Sequence, residues 1–254
     1  MATVLTPPTE CSTFPCLGRQ DVHVWSCDLS RHDGDRPSFA ALLSIDERNR
    51  AARFAFDQHR QRFILSHGLL RVILARYLAA EPGRIQFETG PHGKPALRGQ
   101  SVAEQGIQFS LSHSSDHALV AVAVKRAVGV DVEWCRPEVE GLKLAQRFFA
   151  PDESRAISQA ESDDQLQLFY RYWTAKEAYL KGRGWGLSLG LDRFELLFGD
   201  LSRPALVRST ESGTLDKDWS VQSFQLADRL IGAVAVEGEG WNVRLLDAAT
   251  ALVR

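Results

Sequence analysis

The sequence predicts an α+β protein built from two similar halves, related by a pseudo-two-fold axis, with a cleft between them. Two long amphipathic helix patterns are each followed by a series of short strand patterns. The apolar segment at residues 119–123 (LVAVA) in the first half corresponds to residues 231–235 (IGAVA) in the second. A chain of 254 residues is long enough to form two such units.

The N-terminal elements begin after an unpatterned segment. Residues 1–20 are rich in Thr, Pro and Cys and are expected to form a loose extension. Residues 22–25 (VHVW) alternate in the manner of a strand. Residues 38–56 favour one helix, in which Ser44 is a candidate cap because Glu47 follows three residues later.

The rest of the first half reads as one strong helix and several strands. Residues 61–80 carry a continuous apolar helix face, and a Pro-Gly pair follows them. Residues 85–88 indicate a short strand, and residues 89–95 consist of turn-forming types. Two further strands are predicted at residues 108–112 and 118–124. The second of these is almost entirely apolar, so we expect a buried central strand.

The second half repeats this plan. Residues 166–181 predict a helix that ends at a Gly-Arg-Gly segment, and residues 194–198 predict a strand. Two more strands are predicted at residues 219–226 and 230–236, and the halves join near residues 125–136. The predicted organisation is an extension at residues 1–20, an N-terminal half at residues 21–125 and a C-terminal half at residues 126–254.

The composition excludes several classes of protein. The net charge of −2 argues against a nucleic-acid-binding protein. The first residues lack the pattern of a signal peptide, and the sequence contains no apolar stretch of membrane-spanning length, so we expect no membrane association. The cysteines show no C-x-x-C spacing, which favours reduced thiols in a cytoplasmic protein; they are Cys11, Cys16, Cys27 and Cys135.

A pair of acidic residues follows the join between the halves. Residues 129–133 read GVDVE, and alternation along a strand would place Asp131 and Glu133 on the same side. Two carboxylates this close repel each other unless a cation lies between them. The alternative is an exposed edge strand, but the valines on both sides favour a buried one.

A second charged motif lies on the predicted helix at residues 166–181. Trp173, Glu177 and Lys181 are spaced four residues apart, so they form one stripe. An exposed ion pair between Glu177 and Lys181 would explain the spacing equally well, although Tyr170 and Tyr172 indicate a partly buried helix. If this helix packs on the acidic strand, three carboxylates and a lysine converge. Such a group can hold a hard cation against a phosphate chain and move a proton beside it.

Two weaker motifs precede the acidic strand. Residues 93–95 (GKP) form a turn by composition. Residues 109–114 (FSLSHS) describe a strand whose end carries hydroxyl groups and an imidazole, which can donate hydrogen bonds to a phosphate. Each motif alone is also compatible with a purely structural role.

Taken in order, the motifs Gly-Lys-Pro, Leu-Ser-His-Ser, Gly-Val-Asp-Val-Glu and Trp-x-x-Lys-Glu-Ala-x-x-Lys resemble those of the 4′-phosphopantetheinyl transferases. The resemblance is to the longer, pseudo-dimeric type that activates peptide and polyketide synthetases, and it runs from about residue 48 to residue 236. It implies two α+β halves and a Mg²⁺-dependent reaction. In that reaction coenzyme A gives its phosphopantetheine arm to a carrier-protein serine, and adenosine 3′,5′-bisphosphate is released.

The resemblance also implies roles for individual residues. Asp131, Glu133 and Glu177 match the metal-binding acids of the family, and Lys181 matches the lysine that stabilises the leaving phosphate. Glu177, or a water held by it or by Glu133, would take the serine proton. The remaining matches concern coenzyme A, and they are Lys94, Ser112 and His113 at its nucleotide end and Arg62, Arg48 and Arg50 at its 3′-phosphate. Lys176 matches the other motif lysine and is grouped with these coenzyme A-binding residues, with its own role left open.

The implied partner is an acyl, polyketide or peptidyl carrier protein, which is acidic around its serine. A basic and apolar rim should therefore border the cleft, with Phe148, Phe149 and Leu168 as candidates for its apolar part. At least two of these three residues are expected to pack in the core instead. The internal duplication predicts a monomer that carries a complete site. The alternatives are a relative that binds coenzyme A without turnover and a different metal-dependent phosphotransferase or hydrolase, although the sequence contains no Walker-type loop.

Overall fold

The computed structural model describes residues 14–90, 92–99, 105–186, 189–199 and 204–252. The strands are β1 (Asp21–Asp28), β2 (Phe87–Thr89), β3 (Pro95–Leu97), β4 (Ile107–Ser114), β5 (His117–Val124), β6 (Val128–Trp134), β7 (Phe194–Leu197), β8 (Ala205–Ser209), β9 (Leu215–Ala227), β10 (Leu230–Glu237) and β11 (Asn242–Asp247). The helices are α1 (Arg36–Leu42), α2 (Ile45–Ala52), α3 (Asp57–Leu78), α4 (Gly141–Phe148), α5 (Pro151–Gln159), α6 (Ser162–Arg183) and α7 (Ala249–Leu252).

The strands form two main sheets, one in each half, which confirms the predicted α+β fold. The first sheet has the order β11-β1-β5-β4, and the second has the order β6-β10-β9-β8-β7. The short strands β2 and β3 pair separately. In each half a first strand lies beside a long antiparallel hairpin, so β1 corresponds to β6 and the β4–β5 hairpin to the β9–β10 hairpin.

The two sheets pack face to face, and each carries a long helix on its outer face. Alternate residues of β5 face the long helix on one side and the other sheet on the other side. Ala118 and Val120 pack in the cluster beneath α3, whereas Leu119 and Ala121 pack against valines of β6 and β10. Burial on both faces explains why β5 is continuously apolar, and its central position confirms the prediction.

The helix predicted over residues 38–56 is two helices in the structure. The chain is extended at Leu43 and Ser44, so α1 ends before them and α2 begins after them. The predicted cap is confirmed, because Ser44 Oγ accepts from Glu47 N while the Glu47 carboxylate accepts from Ser44 N. The same capping box that starts α2 therefore interrupts the longer helix.

The end of the chain returns to the first half. The sequence division at residue 126 assigns everything after it to the second half, but β11 pairs in parallel with β1. Leu246 and Ala251 join the core cluster beneath α3. The reason is that β1 would otherwise be an edge strand with unpaired backbone groups, and β11 supplies its partner.

The predicted N-terminal extension is packed where the structure describes it. Phe14 stacks on Trp25 with ring centroids 5.2 Å apart and meets the edge of Tyr77. Residues 1–13, including Cys11, lie outside the described residues. The thiols of Cys16, Cys27 and Cys135 are free. In the part of the chain that the structure describes, no helix has the length and apolar character to cross a bilayer.

A buried polar group lies between β1 and α3. Trp25 Nε1 donates to Tyr77 Oη at 2.9 Å, and Tyr77 Oη also shares a hydrogen bond with His23 Nδ1, 2.6 Å away. His23 has no exposed surface. Burial, reinforced by Arg244 and opposed by Asp21, lowers the pKa of His23 to about 4. The native state therefore holds His23 neutral.

This histidine predicts acid-sensitive stability. Below pH 6.5 the unfolded chain binds a proton at His23, whereas the native state does not bind it until about pH 4. The free energy of unfolding therefore falls as the pH is lowered through this window. We expect His23 to account for a loss of about 2 kcal/mol between pH 7 and pH 5. Denaturant unfolding of His23→Gln at both pH values should show this loss removed. Between pH 7 and pH 5 the exposed His92→Gln control should lose as much unfolding free energy as the wild type does.

Candidate active site

The site forms where α6 lies directly on β6. A Cβ atom at Gly129 would overlap the backbone oxygen of Ala178 and the backbone nitrogen of Gly182, so only glycine permits this approach. A Cβ at Gly182 would in turn lie 2.5 Å from the ring of Trp219. The close contact brings the stripe of α6 that carries Glu177 against the acidic strand.

Three carboxylates meet at this contact. Asp131 is buried, and its Oδ1 accepts from Ser112 Oγ at 2.7 Å. Glu133 Oε2 accepts from Ser114 Oγ at 2.6 Å. Asp131 Oδ2 and Glu177 Oε1 are both buried without a hydrogen-bond partner. Buried carboxylate oxygens in this state are costly unless a ligand completes them.

The carboxylates act on one another electrostatically. Burial raises the pKa of Glu177 to about 7, the charge of Asp131 adds to the effect, and the Lys181 ammonium opposes it. Burial also raises the pKa of Glu133, again with a contribution from Asp131. The two acids of β6 and the acid of α6 therefore share one small region, as the motif spacing predicts.

Lys181 joins this region from the last turn of α6. Its Nζ donates to Asp131 Oδ1 at 2.6 Å and to Ser112 Oγ at 2.9 Å. The lysine is one-third exposed while Asp131 is almost completely buried. The ammonium thus offsets part of the acidic charge and keeps one side toward solvent.

Three serines of β4 in the first half bond to β6 of the second half. Ser110, Ser112 and Ser114 alternate along β4, and all three hydroxyls reach β6 of the second half. Ser110 Oγ accepts from Val130 N at 3.1 Å. Sequence reasoning singled out Ser112 but not Ser114. The sequence pattern also indicates Ser114, because residues at alternate positions of a strand share a face and Ser114 follows Ser112 by two residues.

The acidic residues suit a bound Mg²⁺ ion. Among the described residues no three His, Cys, Asp or Glu side chains form a ready-made set of metal ligands. The donor set is nonetheless the right one, because carboxylate oxygens are the protein ligands that Mg²⁺ prefers. Asp131 Oδ2 and Glu177 Oε1 are buried and unpartnered, and the mutual repulsion of the acids favours a cation between them.

Basic side chains around His113, here called the cation group, border the acids on the side of the first half. The pKa of His113 is lowered by burial and then by the charges of Lys181, Arg62, His59 and Arg50. These residues come from β4, α2, α3 and α6, so the cluster spans both halves. Such a concentration of positive charge attracts a phosphorylated ligand.

The predicted arginines take different positions. Arg62 Nε donates to Asp116 Oδ1 at 2.9 Å, which orients its guanidinium beside His113. Arg50 lies over the ring of Phe63 within the cation group. Arg48 instead donates to the backbone oxygen of Leu43 at 2.6 Å. That contact ties Arg48 to the chain just before α2, and the assignment of Arg48 to the 3′-phosphate stays a prediction.

Lys94 lies at the junction of the halves. Its Nζ donates to the backbone oxygens of Val128 at 3.1 Å and of Gly182 at 2.7 Å. Burial lowers the pKa of Lys94 to about 8. These bonds fasten the turn that follows β2 to both β6 and α6, next to the site. In the structure Lys94 thus links the two halves through hydrogen bonds to backbone oxygens.

The assignment of Lys176 to coenzyme A is wrong. Lys176 has no exposed surface, and its Nζ donates to the backbone oxygens of Leu191 and Phe194 and to the carboxylate of Glu153, at 2.6–2.7 Å. Three acceptors satisfy the three hydrogens of an ammonium. Adjacent helical residues point about 100° apart, so Lys176 faces the core while Glu177 faces β6.

Two of the three candidates for the apolar rim pack in the core, as the sequence predicts. Phe149 is buried in the core, and Leu168 packs against the same cluster. Phe148 is 38% exposed and remains available at the surface. A shallow cavity of about 270 Å³ opens beside Glu133, and its aromatic lining includes Trp173.

The arrangement can carry out chemistry on a phosphate anhydride. Basic groups lie on one side of the cleft, and the partly buried carboxylate of Glu177, whose Oε1 has no hydrogen-bond partner in the described structure, is placed to accept a proton. Lys181 can stabilise negative charge that develops on a leaving phosphate. The necessary groups come from both halves, so neither half alone contains the site.

Comparisons with known proteins agree with this geometry. The family model described as the 4′-phosphopantetheinyl transferase superfamily matches residues 127–235, and the one described as 4′-phosphopantetheinyl transferase, N-terminal, matches residues 32–125. The chain is similar to the 4′-phosphopantetheinyl transferase HetI of Nostoc sp., with 39% identity over 87% of this chain and 90% of that protein. It is also similar to the 4′-phosphopantetheinyl transferase Sfp of Bacillus subtilis, with 30% identity over 66% of this chain and 71% of that protein.

Proposed function

Because the chain belongs to the 4′-phosphopantetheinyl transferase superfamily, we propose that it transfers the 4′-phosphopantetheine group of coenzyme A to a serine of an apo carrier protein. The serine oxygen attacks the phosphorus that bears the pantetheine arm. The bond from that phosphorus to the bridging oxygen breaks, and adenosine 3′,5′-bisphosphate leaves. The supporting observation is the convergence of Asp131, Glu133, Glu177 and Lys181 where the halves meet.

The chain's own residues divide the work. Glu177, directly or through a water, takes the proton of the attacking serine, since its carboxylate lies beside the cleft with one oxygen buried and unpartnered. Lys181 donates to the phosphate oxygens as negative charge moves onto the leaving group. Its bonds to Asp131 and Ser112 hold the ammonium in place before substrate binds.

The acids have a second role toward a metal ion. Asp131, Glu133 and Glu177 are the residues that would hold Mg²⁺ in this site. When bound, Mg²⁺ neutralises the charge of the pyrophosphate of coenzyme A. The unpartnered oxygens of Asp131 and Glu177 support this assignment.

The cation group is proposed to bind the phosphates of coenzyme A. Arg62, Arg50 and His113 lie together on the side of the first half, and a planar guanidinium grips a phosphate well. Lys94 and Ser112 are assigned to the nucleotide end of coenzyme A, and Ser112 also bonds to Asp131. Arg62 is the residue we assign to the 3′-phosphate.

This assignment predicts a selective binding defect. Arg62→Ala should weaken the binding of coenzyme A about tenfold or more, because one charge-assisted contact to the 3′-phosphate is lost. The binding of 3′-dephospho-coenzyme A should change little. Calorimetry with the two ligands measures the difference directly.

Arg60→Ala is the matched control for Arg62→Ala. Arg60 lies two residues earlier on α3 and pairs with Asp57 at the surface. The control should bind both ligands as the wild type does. Equal weakening of both ligands in Arg62→Ala would show that Arg62 does not contact the 3′-phosphate.

The proposed partner is an acidic carrier domain. The cations near the cleft complement such a surface, and Phe148 provides an exposed apolar contact. A monomer is proposed because one chain contains both halves of the site. The cytoplasmic location suggested by the cysteines stays a prediction.

The proposed function is tested by the release of adenosine 3′,5′-bisphosphate. Chromatography should detect one equivalent per carrier molecule when coenzyme A, Mg²⁺ and an apo acyl, polyketide or peptidyl carrier are present together. A carrier with its acceptor serine changed to alanine should give none. Release without any carrier would instead indicate hydrolysis of coenzyme A and would contradict transfer.

A further inference from the structure

Ser114, the last residue of β4, makes two bonds to β6 of the other half. Its Oγ accepts from Trp134 N at 3.2 Å and donates to Glu133 Oε2 at 2.6 Å. A serine hydroxyl has one hydrogen. Because the Trp134 amide can only donate, that hydrogen must be directed to the carboxylate. The orientation of the Ser114 hydroxyl is therefore fixed by the backbone of the strand that carries Glu133.

The bond to Ser114 restricts Glu133. A glutamate side chain has three rotatable bonds, and a short charge-assisted hydrogen bond selects among its rotamers. Oε2 is held by Ser114, so Oε1 is the oxygen that this bond leaves for a ligand. Ser114 itself is buried, which shields the bond from competing water.

The neighbouring serines show which part of this contact is structural. Ser110, four residues earlier on the same face, also accepts from a β6 backbone amide, that of Val130, at 3.1 Å. Its described contacts include no carboxylate. Ser110 and Ser114 thus make the same type of bond between the halves, and they differ in the acid that Ser114 holds.

We infer that Ser114 is a positioning residue that orients the Glu133 carboxylate toward the phosphate-bound cation. Through this contact the first half sets the geometry of an acid that belongs to the second. This inference rests on the proposed function, since it concerns the role of Glu133 in the same site.

The test measures the affinity of Mg²⁺ for the complex with coenzyme A by calorimetry, without any carrier. Ser114→Ala should weaken Mg²⁺ binding about tenfold or more, in the range found when a group that orients a metal ligand is removed. Ser110→Ala is the matched control and should bind Mg²⁺ as the wild type does. Ser114→Thr keeps the hydroxyl and should restore the affinity, and Ser114→Cys, a weak donor of similar size, should be intermediate.

Turnover gives an independent second reading. Excess Mg²⁺ should recover most of the transfer rate of Ser114→Ala, because the defect lies in cation binding. Equal Mg²⁺ affinity in Ser114→Ala and Ser110→Ala, or a folded Ser114→Thr that fails to restore it, would overturn the inference. The inference would also be overturned if the wild type bound coenzyme A with the same affinity in the presence and absence of Mg²⁺. A wild type that binds Mg²⁺ with coenzyme A but transfers nothing would contradict the proposed function alone, since calorimetry needs no turnover.

Discussion

Asp131→Ala is expected to abolish phosphopantetheine transfer while the protein remains folded. The substitution removes a buried carboxylate that accepts from Lys181 and Ser112 and that offers Oδ2 to a cation. We expect the rate to fall about a thousandfold or more, because the variant loses electrostatic stabilisation in a desolvated site. Quenched time courses with a carrier substrate measure the rate.

Asp152→Ala is the control for the loss of an aspartate. Asp152 is exposed on α5 and forms an ion pair with Arg155 at the surface. Its variant should transfer at the wild-type rate. Circular dichroism should show all three proteins folded. A folded Asp131→Ala with a near-normal rate would refute the role assigned to the acidic cluster.

Gly129→Ala is expected to displace α6 from β6 and to destabilise the whole protein. The added methyl would overlap backbone atoms of Ala178 and Gly182, which cannot rotate away as a side chain does. We expect a loss of about 3 kcal/mol or more of unfolding free energy, at the upper end of overpacking effects. Transfer should fall as well, because Glu177 and Lys181 would move away from Asp131. Denaturant unfolding and the transfer rate are the two measurements.

Gly34→Ala is the matched substitution for Gly129→Ala. A Cβ atom at Gly34 meets no atom within 4 Å. This variant should keep its stability within about 0.5 kcal/mol, as surface substitutions usually do. A Gly129→Ala protein as stable as Gly34→Ala would show that the helix and strand do not need to be this close.

The sequence predicts the acidic site well because its information is periodic. Asp131 and Glu133 alternate on a strand, and Glu177 and Lys181 lie four residues apart on a helix. Each pattern fixes which side chains share a face. The valines beside the acids further indicate that this strand is buried, and the structure confirms it. The order of the motifs then identifies the family.

A motif does not show the direction of each residue within it. Lys176 and Glu177 are neighbours in the same motif, yet Lys176 turns to Glu153 in the core. Lys94 donates its described hydrogen bonds to backbone oxygens of the opposite half. These positions depend on tertiary packing, about which a local pattern carries little information.

Long-range pairing limits the fold prediction in the same way. Residues 38–56 have a continuous helical composition, and only the capping box at Ser44 decides where the chain breaks. The pairing of β11 with β1 joins the two ends of the chain, and no periodicity near residue 242 indicates it. The serines of β4 were visible as an alternation, but their partners on β6 were not.

The most direct test of the account is the intact mass of an apo carrier protein after incubation with this protein, coenzyme A and Mg²⁺. We expect the carrier to gain the mass of one phosphopantetheine group and to gain nothing when EDTA is present. No gain across acyl, polyketide and peptidyl carriers, by a protein that still binds coenzyme A, would contradict the central claim and identify a coenzyme A-binding relative without turnover.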